Sequence, residues 1–177
     1  MEGIAMNKFC ISSLIGLLFT IAGCVKNSSM DIPAVTGFAP EKYLGKWYEY
    51  ARLPNSFETG LSDCYAVYSP RKDGNISVLN CGRKDGKFHC VSAVAKSKVP
   101  GTGELEVSFF RPFYSKYRII KITPDYSLAA VTGSSRNYLW ILSRTKKPDT
   151  NSLREFMDFL KQNRYPVEKL IYPQSTP

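Results

Sequence analysis

The chain has 177 residues, 24 Lys and Arg against 15 Asp and Glu, a net charge of +9 and one histidine, His89. A single histidine in a strand-like run offers little from which to build a serine–histidine triad or a zinc site, and no cofactor or metal set is expected. The basic residues are dispersed, without the long runs of a nucleic-acid patch, so they read as a solvated surface or as attraction to anionic head groups or acidic ligands.

Residues 9–22 form an apolar run with Lys8 just before it. That is short of the ~20 residues a transmembrane helix needs, and it suits the h-region of a secretory signal. Met6 is a better start than Met1. The run ends Ile21-Ala22-Gly23-Cys24, which resembles a bacterial lipoprotein signal. The resemblance implies cleavage after Gly23, lipidation of Cys24 and, with Val25 rather than Asp next, sorting to the outer membrane. An ordinary cleavable signal with a chance cysteine is the alternative. Each buried CH₂ contributes ~0.8 kcal/mol, so a multiply acylated Cys24 anchors stably. Residues 1–23 are then a signal, 24–36 a lipidated N-terminus with a polar tether, and 37–177 one domain. Losing Lys8 and Glu2 leaves the charge at +9.

From Gly45 onward, runs rich in Val, Ile, Tyr, Phe and Thr alternate with Pro, Gly, Asp and Ser turns. The runs are 45–53, 63–69, 75–82, 87–96, 104–111, 115–122, 127–132 and 137–144. Eight such runs with tight connections predict an antiparallel meander. Closing it removes the exposed edges and leaves a cup for one small ligand. The longer stretch 55–62 is a candidate lid. The fold class is therefore all-β, an eight-stranded up-and-down barrel.

An exported chain meets an oxidising compartment, which permits a disulfide. The turn 71–74 is centred midway between Cys64 and Cys81, and the turn 84–87 midway between Cys81 and Cys90. Simple hairpins set Cys81 opposite both. Neighbouring pairs in an antiparallel sheet alternate in type, so both cannot hold with two-residue turns. One hairpin must carry a bulge or a different loop. Cys64–Cys81 is the favoured pair, Cys81–Cys90 the alternative. One thiol is left over either way, which leaves an intermolecular bond and a homodimer open.

Residues 150–163 predict the one good helix. Asp149 or Thr150 caps it. Leu153, Phe156, Met157, Phe159 and Leu160 share one face, with Arg154, Asp158 and Lys161 opposite. It packs outside the barrel. Residues 168–172 predict a ninth, flanking strand.

Gly45-Lys46-Trp47, Pro124-Asp125-Tyr126 and Arg144 match three spaced motifs of the lipocalin family. The stretches 107–114 and 138–144 are similar to its bacterial outer-membrane branch, related to apolipoprotein D. The resemblance covers about residues 33–172. Pro124 departs from the usual Thr or Asp, and Arg111, Ser115 and Lys116 replace Gly-like positions in one turn. The resemblance implies that Trp47 plugs the closed end with Arg144 across it, a cation–π contact of ~0.5–2 kcal/mol. Gly45, Trp47 and Arg144 are thus structural.

Tyr, Phe and Trp make up 13% of the chain, which suits an aromatic-lined cup. Strand alternation turns Leu105, Val107 and Phe109 inward, with Tyr117 and Ile119, and with Tyr138, Trp140 and Leu142. In 63–69 the pattern leaves the parity open, and Ala66 and Tyr68 are taken as the inward pair. An acyl chain or flat apolar molecule fits such a wall. The resemblance implies fatty acids or lysophospholipids, with Arg111 and Lys116 at the rim for a phosphate or carboxylate head. The whole reads as an outer-membrane lipocalin, anchored at the periplasmic side through Cys24, that binds or ferries lipids without catalysis. A lipid-modifying enzyme and a structural envelope protein are the alternatives.

Overall fold

The computed structural model describes residues 32–173. The signal segment and Cys24 lie outside the described residues. A short helix, α1 (Pro40–Tyr43), leads into β1 (Gly45–Arg52). A 3₁₀ turn at Ser56–Glu58 follows, then β2 (Ser62–Pro70), β3 (Ile76–Lys84), β4 (Lys87–Ser97), β5 (Glu104–Phe110), β6 (Phe113–Ile122), β7 (Leu128–Thr132) and β8 (Leu139–Ser143). All neighbours pair antiparallel, and β8 returns to β1 to close the barrel. The eight expected barrel strands are all present, with small shifts at their ends.

Alternation sorts the side chains into two cores. Inside lie Trp47, Ala66, Tyr68, Val78, Ala93, Ala95, Val107, Ile119, Val131 and Leu142. Outside, α2 (Thr150–Gln162) buries Phe156 and Leu160 against Ala51, Ile120, Leu128, Ala130, Leu139 and Ile141. Asp149 caps α2 by accepting from the Ser152 N–H at 2.8 Å. The helix therefore packs on the outer wall, as its apolar stripe predicts.

Residues 32–36, the last part of the expected polar tether, lie against the barrel. Ile32 is buried, Val35 N–H donates to the Ile119 carbonyl, and Gly103 N–H donates to the Val35 carbonyl. This segment takes up the backbone groups where β5 and β6 begin to separate. The ninth strand is reduced to an isolated bridge between Arg52 and Ile171. A 3₁₀ turn at Val167–Lys169 uses up the residues that would have extended it.

The cysteine pairing also differs from the favoured one. Cys81 is bonded to Cys90, and Cys64 is a buried thiol. The reason is loop length. Pro70 pairs with Ile76, so the β2–β3 loop holds five residues and sets Cys81 opposite Tyr65, not Cys64. The β3–β4 turn has Asp85 and Gly86 both at positive φ, the conformation of a tight two-residue hairpin, and it brings Cys81 opposite Cys90. A further irregularity between Ser62 and Tyr65 turns Cys64 toward Gly82 and the barrel interior.

Candidate functional site

The closed end is an aromatic floor with its polar groups paired. Trp47 Nε1 donates to the Tyr43 carbonyl at 2.8 Å, and the Arg144 guanidinium lies 3.9 Å over the indole. Arg144 also donates to the carbonyls of Lys42, Lys46 and Tyr126. Gly45, at φ +94°, lets the chain turn beneath this arginine, where a side chain would be strained. Tyr117 Oη stands 2.7 Å from Tyr43 Oη and 2.8 Å from Tyr68 Oη. Burial pushes the Tyr68 phenol up to about 12 and those of Tyr43 and Tyr117 well above the usual range, so all three stay neutral.

Above the floor, Ala66, Ala93, Ala95, Val107, Ile119, Val131 and Leu142 line the wall. The barrel is not sealed higher up. β4 pairs with β5 only from Val94 to Ser97, so its upper half runs free on that side. Val91 lies opposite Asn80, which in turn lies opposite inward-facing Ala66. It nevertheless remains 56% exposed, on the half of β4 that β5 leaves unpaired.

The rim is aromatic. Phe57 stacks against Tyr138 at 6.1 Å and lies 6.3 Å from Trp140, which itself stacks on Tyr138. The segment 55–62 thus folds over one side of the mouth, as a lid would. Phe109, Phe110 and Phe113 stand exposed on the β5–β6 hairpin.

The expected wall residues fare differently. Ala66, Tyr68, Val107 and Ile119 are in the inner core, with Tyr117 and Trp140 partly buried against it. Tyr138 sits at the rim. Phe109 is not buried beside Val107: it is 55% exposed. An extra residue between Val107 and Phe110 breaks the alternation, so that Val107 and Ser108 are both buried. Arg111 lies in the exposed hairpin turn. Lys116 is paired with Glu106, whose carboxylate holds Lys96 and Lys98 on the outer face. Lys116 is therefore on the outer wall rather than at the entrance.

A charged cluster inside the mouth is not foreseen by simple strand alternation. Glu49 pairs with inward-facing Leu142, and an irregularity between Glu49 and Ala51 gives β1 an extra residue that brings Arg52 opposite Trp140. Arg52 and Glu49 are almost fully buried and joined at 2.5 Å. Arg52 Nη2 donates to the Glu58 and Leu61 carbonyls, tying the lid backbone down. The Glu58 carboxylate accepts from Trp140 Nε1 at 3.0 Å and from Asn55 Nδ2 at 2.5 Å. Burial pushes the Glu49 carboxyl up to about 8, helped by the charge of Glu58 and opposed by Arg52. Burial likewise lifts the Cys64 thiol beside them to about 12. The signal in the sequence is Glu49 and Arg52 themselves, three apart in a strand whose simple alternation would put them on opposite faces.

A closed up-and-down barrel with Arg144 laid across Trp47 at one end is the architecture of a calyx, the barrel type that holds one small ligand. The family description "Lipocalin-like domain" matches residues 39–175, and the chain belongs to the lipocalin family. It is 43% identical over 148 residues to the outer membrane lipoprotein Blc of Vibrio cholerae serotype O1, covering 81% of this chain and 86% of that one. To Blc of Escherichia coli strain K12 it is 36% identical over 152 residues, covering 81% and 82%. Insecticyanin from the tobacco hornworm Manduca sexta shares the fold with a TM-score of 0.69 at 19% identity, over 82% of this chain and 85% of that one.

Proposed function

We propose that this chain is an outer-membrane lipocalin, anchored through a lipidated Cys24 at the periplasmic face, that binds fatty acids or lysophospholipids in its cup. The carrying observation is the mouth. Val91 is inward in register yet open to solvent, in a barrel whose inner side chains are an apolar cluster around neutral phenols. Such a wall takes up an acyl chain by burying apolar area, ~25 cal/mol per Å² before the costs of binding. The Blc relatives are named as outer membrane lipoproteins, which supports the location. The lipobox-like Ile21-Ala22-Gly23-Cys24 supports the anchor. Binding is passive, with exchange through the lid side.

Native mass spectrometry of the protein extracted from its own membrane tests both halves. The expected spectrum shows an acylated N-terminal cysteine and one bound lipid released on activation. Protein that carries no acyl mass refutes the anchor. Protein that neither carries nor takes up fatty acid or lysophospholipid refutes the cup.

A further inference from the structure

The mouth contains a buried donor without an acceptor. Arg52 is 2% exposed, and its Nε has no hydrogen-bond partner. The other two nitrogens are committed: Nη1 to Glu49, Nη2 to the carbonyls of Glu58 and Leu61. The Glu58 carboxylate lies 3.7 Å from Nε, an ion-pair distance too long for a hydrogen bond. A buried guanidinium N–H left in this way costs free energy, and native structures rarely keep one without a use.

Around that Nε the geometry is that of an acid-binding site already holding an acid. Glu58 Oε2 accepts from Trp140 Nε1 and faces Arg52 Nε. Glu58 belongs to the lid turn Ser56–Glu58, and its side chain is 19% exposed, so it has a way out to water. Resting on the reading of the cup as a lipid site, we propose that it takes the carboxylate of a fatty acid at Arg52 Nε and Trp140 Nε1, in exchange for the carboxylate of Glu58.

Charge favours exchange over addition. Arg52 is flanked by the carboxylate of Glu58 and by the carboxyl of Glu49, which burial keeps largely protonated at neutral pH. A second anion brought in beside Glu58 would be desolvated against like charge. Replacing Glu58 leaves the number of buried charges unchanged. The lid backbone stays tied through Nη2 of Arg52 while its side-chain latch lets go. The acyl chain then runs from Trp140 across the open half of the cup toward Val91 and Val107. The acid group of the ligand is thus read inside the mouth rather than by the rim cations Arg111 and Lys116.

The test compares ligands of one chain length. Hexadecanoic acid and hexadecanol compete with a neutral, environment-sensitive naphthylamine dye for the full chain at neutral pH. The acid is expected to bind about tenfold more tightly than the alcohol, the scale of one charge-assisted hydrogen bond. Glu58→Gln keeps an acceptor for Trp140 but removes the competing charge. It is expected to tighten the acid several-fold and leave the alcohol unchanged. Trp140→Phe removes the N–H donor while keeping an aromatic ring, and is expected to bring the acid close to the alcohol. Both replacements are near in shape to the native side chains, and thermal melting confirms that the variants are folded. Equal displacement by acid and alcohol overturns the head-group proposal while leaving the cup as an apolar site. So does a Glu58→Gln variant that shifts both ligands alike. If neither ligand displaces the dye, the cup reading falls and this proposal with it.

Discussion

The two ends of the barrel are built to opposite rules. At the closed end Arg144 gives its nitrogens to three main-chain carbonyls and its face to Trp47. The three floor phenols satisfy one another. At the open end Arg52 is more deeply buried than Arg144, yet one nitrogen has no acceptor and its neighbour Glu49 is an acid held up to about 8. Phe57, Phe109, Phe110 and Phe113 face water there instead of a core. A side that only holds the fold together leaves no group unsatisfied. A side that must exchange something retains unmet donors, raised acids and uncovered rings. On the proposed function, stability belongs to the floor and binding to the mouth.

The severest challenge to this division is at the floor. Trp47→Ala removes a fully buried indole and is expected to cost about 3–5 kcal/mol in chemical denaturation. Fatty-acid affinity of the fraction that remains folded should change little. A large loss of affinity at unchanged stability would show that the floor belongs to the site.

Glu49 offers a second challenge, through pH. Its carboxyl is raised in the folded state, so between the ordinary carboxylate range and about 8 the native chain holds a proton that the unfolded chain has released. Stability should therefore fall as pH rises through that window, by at most about 1.4 kcal/mol per unit, and level off above it. Asp125 and Asp149, held low by bonds from Thr123 and Ser152, act with the opposite sign and only at more acid pH. Glu49→Gln should flatten the decline seen in denaturant midpoints. A slope unchanged in the variant would assign it elsewhere.

Much of the closed end is legible in the amino-acid sequence, and much of the open end is not. Gly45, Trp47 and Arg144 stand at motif positions, and each does one thing wherever the strands are in register. The barrel follows from eight runs and their turns, since a turn residue acts locally. The mouth depends instead on single inserted residues. One extra residue in β1 puts Arg52 inside; one in β5 breaks the alternation that would bury Phe109 beside Val107. Each insertion reverses the face of everything beyond it, and neither leaves a mark in composition. The cysteines repeat the lesson. Spacing requires one irregular hairpin but does not say which, and a five-residue loop rather than a four-residue turn decides for Cys90. The Glu58 latch is invisible in sequence because it joins residues 82 apart.

The Cys81–Cys90 disulfide ties the register of β3 to that of β4. Non-reducing peptide mapping should recover Cys81 linked to Cys90, with Cys64 alkylated only after unfolding. The bond closes a loop with a sequence separation of 9, so its reduction should cost about 2–3 kcal/mol. A Cys64–Cys81 peptide would mean a different register between β2 and β3, and with it an altered mouth.

The smallest expected effect is the most discriminating, because it lies on the boundary between the two ends. Tyr117 Oη joins Tyr43 to Tyr68, and its ring borders the space above. Tyr117→Phe keeps the ring and leaves two buried phenols short of a partner, a loss of about 1–2 kcal/mol. If Tyr117 belongs to the floor alone, stability falls by that amount and hexadecanoic acid and hexadecanol bind as before. If an acyl tail reaches the floor, the more apolar surface should tighten both ligands equally, because the tail is common to them. A change confined to the acid would instead place its carboxylate at the phenols, deep in the cup and far from Arg52. One conservative substitution, read with two ligands, therefore separates a shallow site from a deep one and fixes which way up the lipid enters.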